Sequence, residues 1–162
     1  MSPKMLSATR IGLAFAACAI LLVACSGSEQ GGGTGQAPPE LEPLSSVGDG
    51  EGELNIIAWA GYAEDGSNDP SVDWVTPFEK ETGCQTNVKL GNTSDEMVQL
   101  MRSGQYDGVS ASGDATLRLI YAGDVAPVNT SLVPNYESIS PFLKDKSWNS
   151  VDGQMYGIPH GW

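Results

Sequence analysis

From Leu54 onward the chain repeats one unit: a short apolar run with β-branched residues, a break, and an amphipathic segment that stops at a glycine. That alternation restricts the fold more than any other feature, because a side-chain period of 2 gives way to one of 3.6 at each break. Leu54-Asn55-Ile56-Ile57-Ala58-Trp59 reads as a first strand, buried in a parallel sheet. Residues 61–70 interrupt it, and the helix that follows sets Val72, Val75 and Phe78 on one face and ends at Gly83 as a left-handed cap. Pro77 requires either a kink in that helix or a start at Thr76, with the proline in the tolerated first position.

A second strand over residues 86–90 leads to Thr93, whose hydroxyl is placed to cap a helix with Glu96 as the reciprocal partner. Met97, Leu100 and Met101 form an apolar stripe, read as core packing, and Gly104 stops the helix. Residues 106–111 read as a third strand, 115–122 as a short helix closed by Gly123, and 125–128 as a fourth strand. This order predicts an α/β sheet with right-handed crossovers. Residues 129–148, with Pro134, Pro141 and several Ser, read as loop and short helix. Asp152-Gly153 marks a hairpin, and Gly157-Ile158-Pro159 heads into another extended segment.

The first 24 residues have a different character. Lys4 and Arg10 precede an uncharged stretch, residues 11–24, whose 14 positions fall short of the roughly 20 needed to span a bilayer. This is the pattern of a cleavable export signal. Its end, Leu22-Val23-Ala24-Cys25, resembles the lipobox of bacterial lipoproteins, which implies that Cys25 receives a diacylglycerol and becomes the mature N-terminus. The alternative is a plain secretory signal that Cys25 happens to follow. Residues 25–52, with Gly31-Gly32-Gly33 and Pro38-Pro39, have too few large apolar side chains for a core and are expected to form a disordered tether. Residues 53–162 remain for one folded unit outside the cytoplasm.

Charge and cysteine usage narrow the function. Net charge is −12, and removal of Lys4 and Arg10 with the signal takes it to −14. Such a surface repels nucleic acid and anionic lipid and attracts cations. Cys18 leaves with the signal and Cys25 is consumed by the lipid, so Cys84 stands alone, without an intrachain disulfide or thiolate metal cluster, and reads as a small buried core residue.

No enzyme signature emerges. His160 is the single histidine; Ser112, in Ser110-Ala111-Ser112-Gly113-Asp114, lacks the first glycine of a nucleophile elbow. Gly48, Gly50 and Gly52 precede the first strand instead of following it, and no phosphate-loop lysine is present. Asp95 and Glu96 fall in a helix's first turn, where they complement its dipole. The expectation is a protein without catalytic residues, cofactor or metal.

Chemistry does gather after the strands. In an open α/β sheet, ligands bind beyond the carboxyl ends of strands. Trp59 and Tyr62 follow the first strand, and Ser112 and Asp114 follow the third, so two aromatics, a hydroxyl and a carboxylate are expected at one rim. Aromatic faces and a carboxylate suit an alkylammonium group. On spacing alone, Trp59 in the core and Asp114 as a mere cap for a helix starting at Ala115 is an equal reading.

Six stretches carry a resemblance: Ile57-Ala58-Trp59-Ala60-Gly61-Tyr62, the run from Asp73-Trp74-Val75 to Thr82-Gly83-Cys84, Thr93-Ser94-Asp95-Glu96-Met97-Val98, Ala111-Ser112-Gly113-Asp114-Ala115-Thr116, Val128-Asn129-Thr130 and Tyr156-Gly157-Ile158-Pro159. In order and spacing they resemble bacterial extracytoplasmic polyamine-binding proteins, the spermidine/putrescine receptors of ABC importers. The resemblance implies a type II periplasmic-binding-protein fold, in which two α/β lobes close on the ligand. This chain would hold the first lobe only and thus be incomplete. It implies that Trp59 and Tyr62 line the polyamine cleft, that Ser112 supplies a hydroxyl, and that Asp114 stands where members carry an aromatic or acidic ligand residue. Ala60 departs from the Thr or Ser that many members place after the Trp, which removes one ligand hydrogen bond and leaves the particular amine open. His160 and Trp162 fall near the crossing to the second lobe, outside the site. The implied partners are a small cationic polyamine, a membrane permease and the lipid anchor. Because a second lobe would hold the far end of the ligand, this chain alone is expected to bind weakly or not at all. A different solute on the same fold and a surface lipoprotein that mediates protein contacts are the alternatives.

Overall fold

The computed structural model describes residues 37–161. The expected signal, Cys25 and the start of the tether lie outside the described residues. Strand β1, Glu53–Ala58, ends just before Trp59. There the Tyr62 N–H donates to Trp59 O at 3.1 Å, and Gly61 takes φ +85°, the left-handed value that the third position of such a turn demands.

Helix α1, Val75–Thr82, begins one residue before the Thr76 start and after Val72, which the longer, kinked alternative included. The proline is the third helical residue. Its missing N–H is one of the first four that have no intrahelical acceptor, so neither a kink nor a later start is required. Asp73 Oδ1 accepts the Thr76 N–H at 2.9 Å and caps this end. Gly83, at φ +74°, closes the other by donating to Glu79 O at 2.8 Å. Only Val75 of the expected apolar face is buried; Val72 precedes the helix and Phe78 is 40% exposed. Cys84 is half-buried in the joint that follows, rather than in the core, with its N–H on Thr82 Oγ1 at 3.1 Å.

Strand β2, Gln85–Leu90, runs parallel to β1 in register from Glu53↔Gln85 to Ala58↔Leu90. Helix α2, Ser94–Arg102, starts as the sequence indicates, with Thr93 Oγ1 accepting the Glu96 N–H at 3.1 Å. The reciprocal bond differs: Glu96 Oε2 accepts the N–H of Asn92 at 2.9 Å instead of that of Thr93. Strand β3 is only Gly108–Val109, pairing parallel with Ile56 and Ile57. It is shorter than expected because the Asp107 carboxylate, rather than a backbone carbonyl, takes the Asn55 N–H, at 2.7 Å. Helix α3, Gly113–Ala122, starts two residues before Ala115 and closes at Gly123, φ +75°.

The sheet order is β2-β1-β3. The chain leaves β1 toward one side for β2 and returns past it to β3, which creates a topological switch between β1 and β3. Alternation along β1 sends Leu54 and Ile56 toward α1 and Ile57 toward α2 and α3. On the latter side lie the fully buried Ile57, Met97, Val98, Leu119 and Ile120, each contributing about 1.5–3 kcal/mol on burial. On the α1 side the cover is incomplete, and a hollow of about 320 Å³ remains among Leu54, Ile56, Tyr62, Trp74, Phe78 and Thr86.

Residues 125–128 do not form the expected fourth strand. Pro127 lacks an N–H, and the segment's contact with a strand is the Val128 N–H on Met155 O at 2.7 Å. Two single-turn 3₁₀ helices, Thr130–Leu132 and Tyr136–Ser138, follow. Strands β4, Ser150–Val151, and β5, Gln154–Met155, form the antiparallel hairpin, with Asp152 at φ +51° and Gly153 at φ +78° in its turn. Residues 37–52 carry no helix or strand. They are not free throughout: Asn129 Nδ2 donates to Leu44 O at 3.0 Å, and a methyl group built on Gly123 would stand 3.0 Å from Pro39 Cγ.

Candidate functional site

The carboxyl ends of the three parallel strands meet at one rim. Gly91 N–H donates to Ala58 O at 3.0 Å and Ser110 N–H to Ile57 O at 2.8 Å, so the loops after β2 and β3 leave on either side of the loop after β1. Ser112 and Asp114 come together here. Ser112 is the N-cap of α3, yet its hydroxyl makes no cap bond; it donates to Asp114 Oδ1 at 2.7 Å. Ser94, the first residue of α2, joins them, with its Oγ 2.8 Å from Ser112 Oγ and 3.3 Å from Asp114 Oδ1.

This network ties the starts of two helices to one exposed carboxylate. The Ser112 hydroxyl, above all, holds the Asp114 carboxyl below the usual carboxylate range. The partial loss of solvent opposes this, while the Ser94 hydroxyl and the N–H groups of Ala115 and Asp114 reinforce it. The positive helix ends favour the same ionised state. Asp114 therefore favours its ionised form at the rim. It falls in the first turn of α3, where Ser112 holds the cap position.

Trp59 and Tyr62 share the turn after β1 but make no hydrogen bond to the Ser94–Ser112–Asp114 network among the described residues. Trp59 is half-buried. Tyr62 is 45% exposed, and its ring lines the hollow on the α1 side. Its ring centroid lies 4.8 Å from that of His160 at an interplanar angle of 35°, so His160, which the sequence reading left aside, touches an expected site residue. Ala60 is exposed and brings no hydroxyl.

Sequence reasoning also missed Ser94 and Trp148. Ser94 carries the one available signal, its place beside the Thr93 cap of a helix that starts at the rim. Trp148 packs against Gly113, where a built methyl group would stand 2.8 Å from Trp148 Cβ. Among the described residues no group of three or more His, Cys, Asp or Glu is placed to hold a metal ion, and no helix is long and apolar enough to cross a membrane.

No family model matches the chain. By structure it is similar to a protein assigned as a spermidine/putrescine ABC transporter from Listeria monocytogenes, with a TM-score of 0.52 and 25% identity over 60% of this chain and 29% of that one. A second similar structure is the spermidine/putrescine ABC transporter substrate-binding protein PotD of Streptococcus pneumoniae, with a TM-score of 0.49 and 24% identity over 60% of this chain and 28% of that one. The parallel sheet and its flanking helices are thus shared in part with the first of these structures. The matched region spans less than a third of the length of either.

Proposed function

We propose that this chain is part of an extracytoplasmic solute-binding protein of an ABC importer, and that it captures a polyamine such as putrescine or spermidine. One observation carries the reading: a carboxylate fixed in its ionised form by Ser112 and Ser94, at the switch point of a parallel sheet in a chain similar to a spermidine/putrescine transporter protein. An ammonium group at Asp114 gains a charge-assisted hydrogen bond, with Ser112 as a neighbouring acceptor. Trp59 and Tyr62 flank the methylene chain. The acidic surface concentrates the cation, and a second lobe closes over it. No bond is made or broken; the function is capture and delivery to a membrane permease.

In this reading residues 1–24 are the signal, 25–52 the tether and 53–162 the first lobe, and Cys25 bears the lipid that keeps the receptor beside its permease. Two acyl chains suffice for stable anchoring.

Asp114 and the aromatics on this chain supply about 4 kcal/mol between them, or a Kd of about 1 mM. Backbone-amide NMR titration with putrescine tests this, with 1,4-butanediol as the uncharged control. Saturable shifts at Ser112 and Asp114 with the diamine alone are expected; equal responses to both compounds would remove the amine reading.

A further inference from the structure

We infer that Trp148 is a further binding residue of this site, the aromatic face against which an ammonium held by Asp114 rests; the inference depends on the function proposed above. Gly113 lies between Ser112 and Asp114. A methyl group built there would stand 2.8 Å from Trp148 Cβ and 3.3 Å from its Cγ, so the base of the indole lies directly against the turn that carries the hydroxyl and the carboxylate. Only the absence of a side chain at Gly113 allows this approach.

The position is fixed from behind. Asn149, the next residue, is 7% exposed and its polar groups are engaged. Its Nδ2 donates to Leu143 O at 2.9 Å, its Oδ1 accepts the Lys146 N–H at 2.9 Å, and its carbonyl accepts the Tyr156 N–H at 3.0 Å. A side chain anchored by such a neighbour is preorganised, as a binding group must be. Trp148 itself remains 41% exposed, with surface left for a ligand.

Its chemistry fits the same ligand. Two other aromatics of this segment already carry cations: Lys144 Nζ lies 4.7 Å from the Tyr136 ring centroid and Lys146 Nζ 5.6 Å from that of Phe142. Among the described residues no lysine or arginine lies over Trp148. Indole is the strongest π partner for a cation, and a carboxylate beside it supplies the opposite charge. Tyr62 and Trp59 sit on another loop, so Trp148 gives the Asp114 end of the site an aromatic wall of its own. The ligand class this selects is an alkylammonium.

Putrescine titrations of the wild-type chain, Trp148→Phe, Trp148→Leu and Asp114→Asn, followed by amide and indole NMR, test the inference. The wild-type indole N–H is expected to shift with the same saturation curve as Asp114. Trp148→Phe should bind within about two-fold of wild type and Trp148→Leu about five-fold more weakly, because leucine keeps bulk but has no π face. Putrescine binding that needs Asp114 but is unchanged in Trp148→Leu overturns the inference and leaves the amine reading standing. A wild type without any saturable shift overturns both. The wild-type indole makes the test independent of variant folding, since an indole unmoved at saturation overturns the role of Trp148 by itself.

Discussion

Ser94 Oγ and Asp114 Oδ1 lie 3.3 Å apart, although 20 positions separate them in the chain, because α2 and α3 begin at the same sheet rim. Ser94 therefore links two helices and sets the charge of a candidate ligand group at once. Removing its hydroxyl separates these effects. Ser94→Ala is expected to cost about 0.5–1 kcal/mol of stability, at the low end for a hydrogen bond because the site is partly exposed, as read by urea denaturation. Amine affinity should fall less than in Asp114→Asn, since Ser112 still holds the carboxylate.

Acid should weaken the fold in a defined window. Asp65, Asp69, Glu96 and Asp114 are held below the usual carboxylate range, by the Ser67 and Ser71 groups, by Asn92 and by Ser112 respectively. Their folded values lie below the unfolded ones, so the stability they contribute is full above about pH 5 and is lost as pH falls through the folded values. Thermal midpoints should be flat from pH 7 to about pH 5 and then drop. In a Glu96→Gln, Asp114→Asn double variant the drop should be shallower; an identical acid slope would speak against these contributions.

The cap of α2 is testable alone. Thr93→Ala leaves the Glu96 N–H without its side-chain acceptor and should cost about 1 kcal/mol. Equilibrium unfolding gives the value, and a change below about 0.3 kcal/mol would argue against the cap.

Gly91, just after β2, lies in close contact with α2. A methyl group there would stand 2.6 Å from Met97 Cγ and 2.8 Å from its Cε, inside a fully buried contact. Gly91→Ala should destabilise by about 1–3 kcal/mol. Pairing it with Met97→Ala should recover part of the combined loss in a double-mutant cycle, whereas simple additivity would mean that the two do not meet.

Where local chemistry decides, the sequence was readable. Gly83 and Gly123 end helices in the left-handed conformation, Thr93 caps α2, and Asp152-Gly153 turns the hairpin, since each depends only on neighbours in the chain. The parallel pairing of the three strands also followed from their spacing. What failed depended on distant partners. Residues 125–128 have strand composition, but Pro127 and the short hairpin give them little edge to join. The shortening of β3 comes from Asp107 bonding Asn55, 52 positions away. Of the expected site, the Ser112–Asp114 pair could be read from its separation of two. The contacts of Trp148 with Gly113 and of His160 with Tyr62 could not, because they are made by loops whose paths the sequence pattern does not specify.

The central claim is that Asp114 is the anchor for a cationic amine. Parallel putrescine titrations of the wild-type chain and Asp114→Asn at pH 7, followed by amide NMR, address it most directly. The variant keeps the shape of the side chain and removes its charge. A loss of about five- to ten-fold in affinity is predicted from an exposed charge-assisted hydrogen bond, together with a small fall in the thermal midpoint as the stabilised carboxylate is lost. Equal affinity in the two proteins would contradict the account.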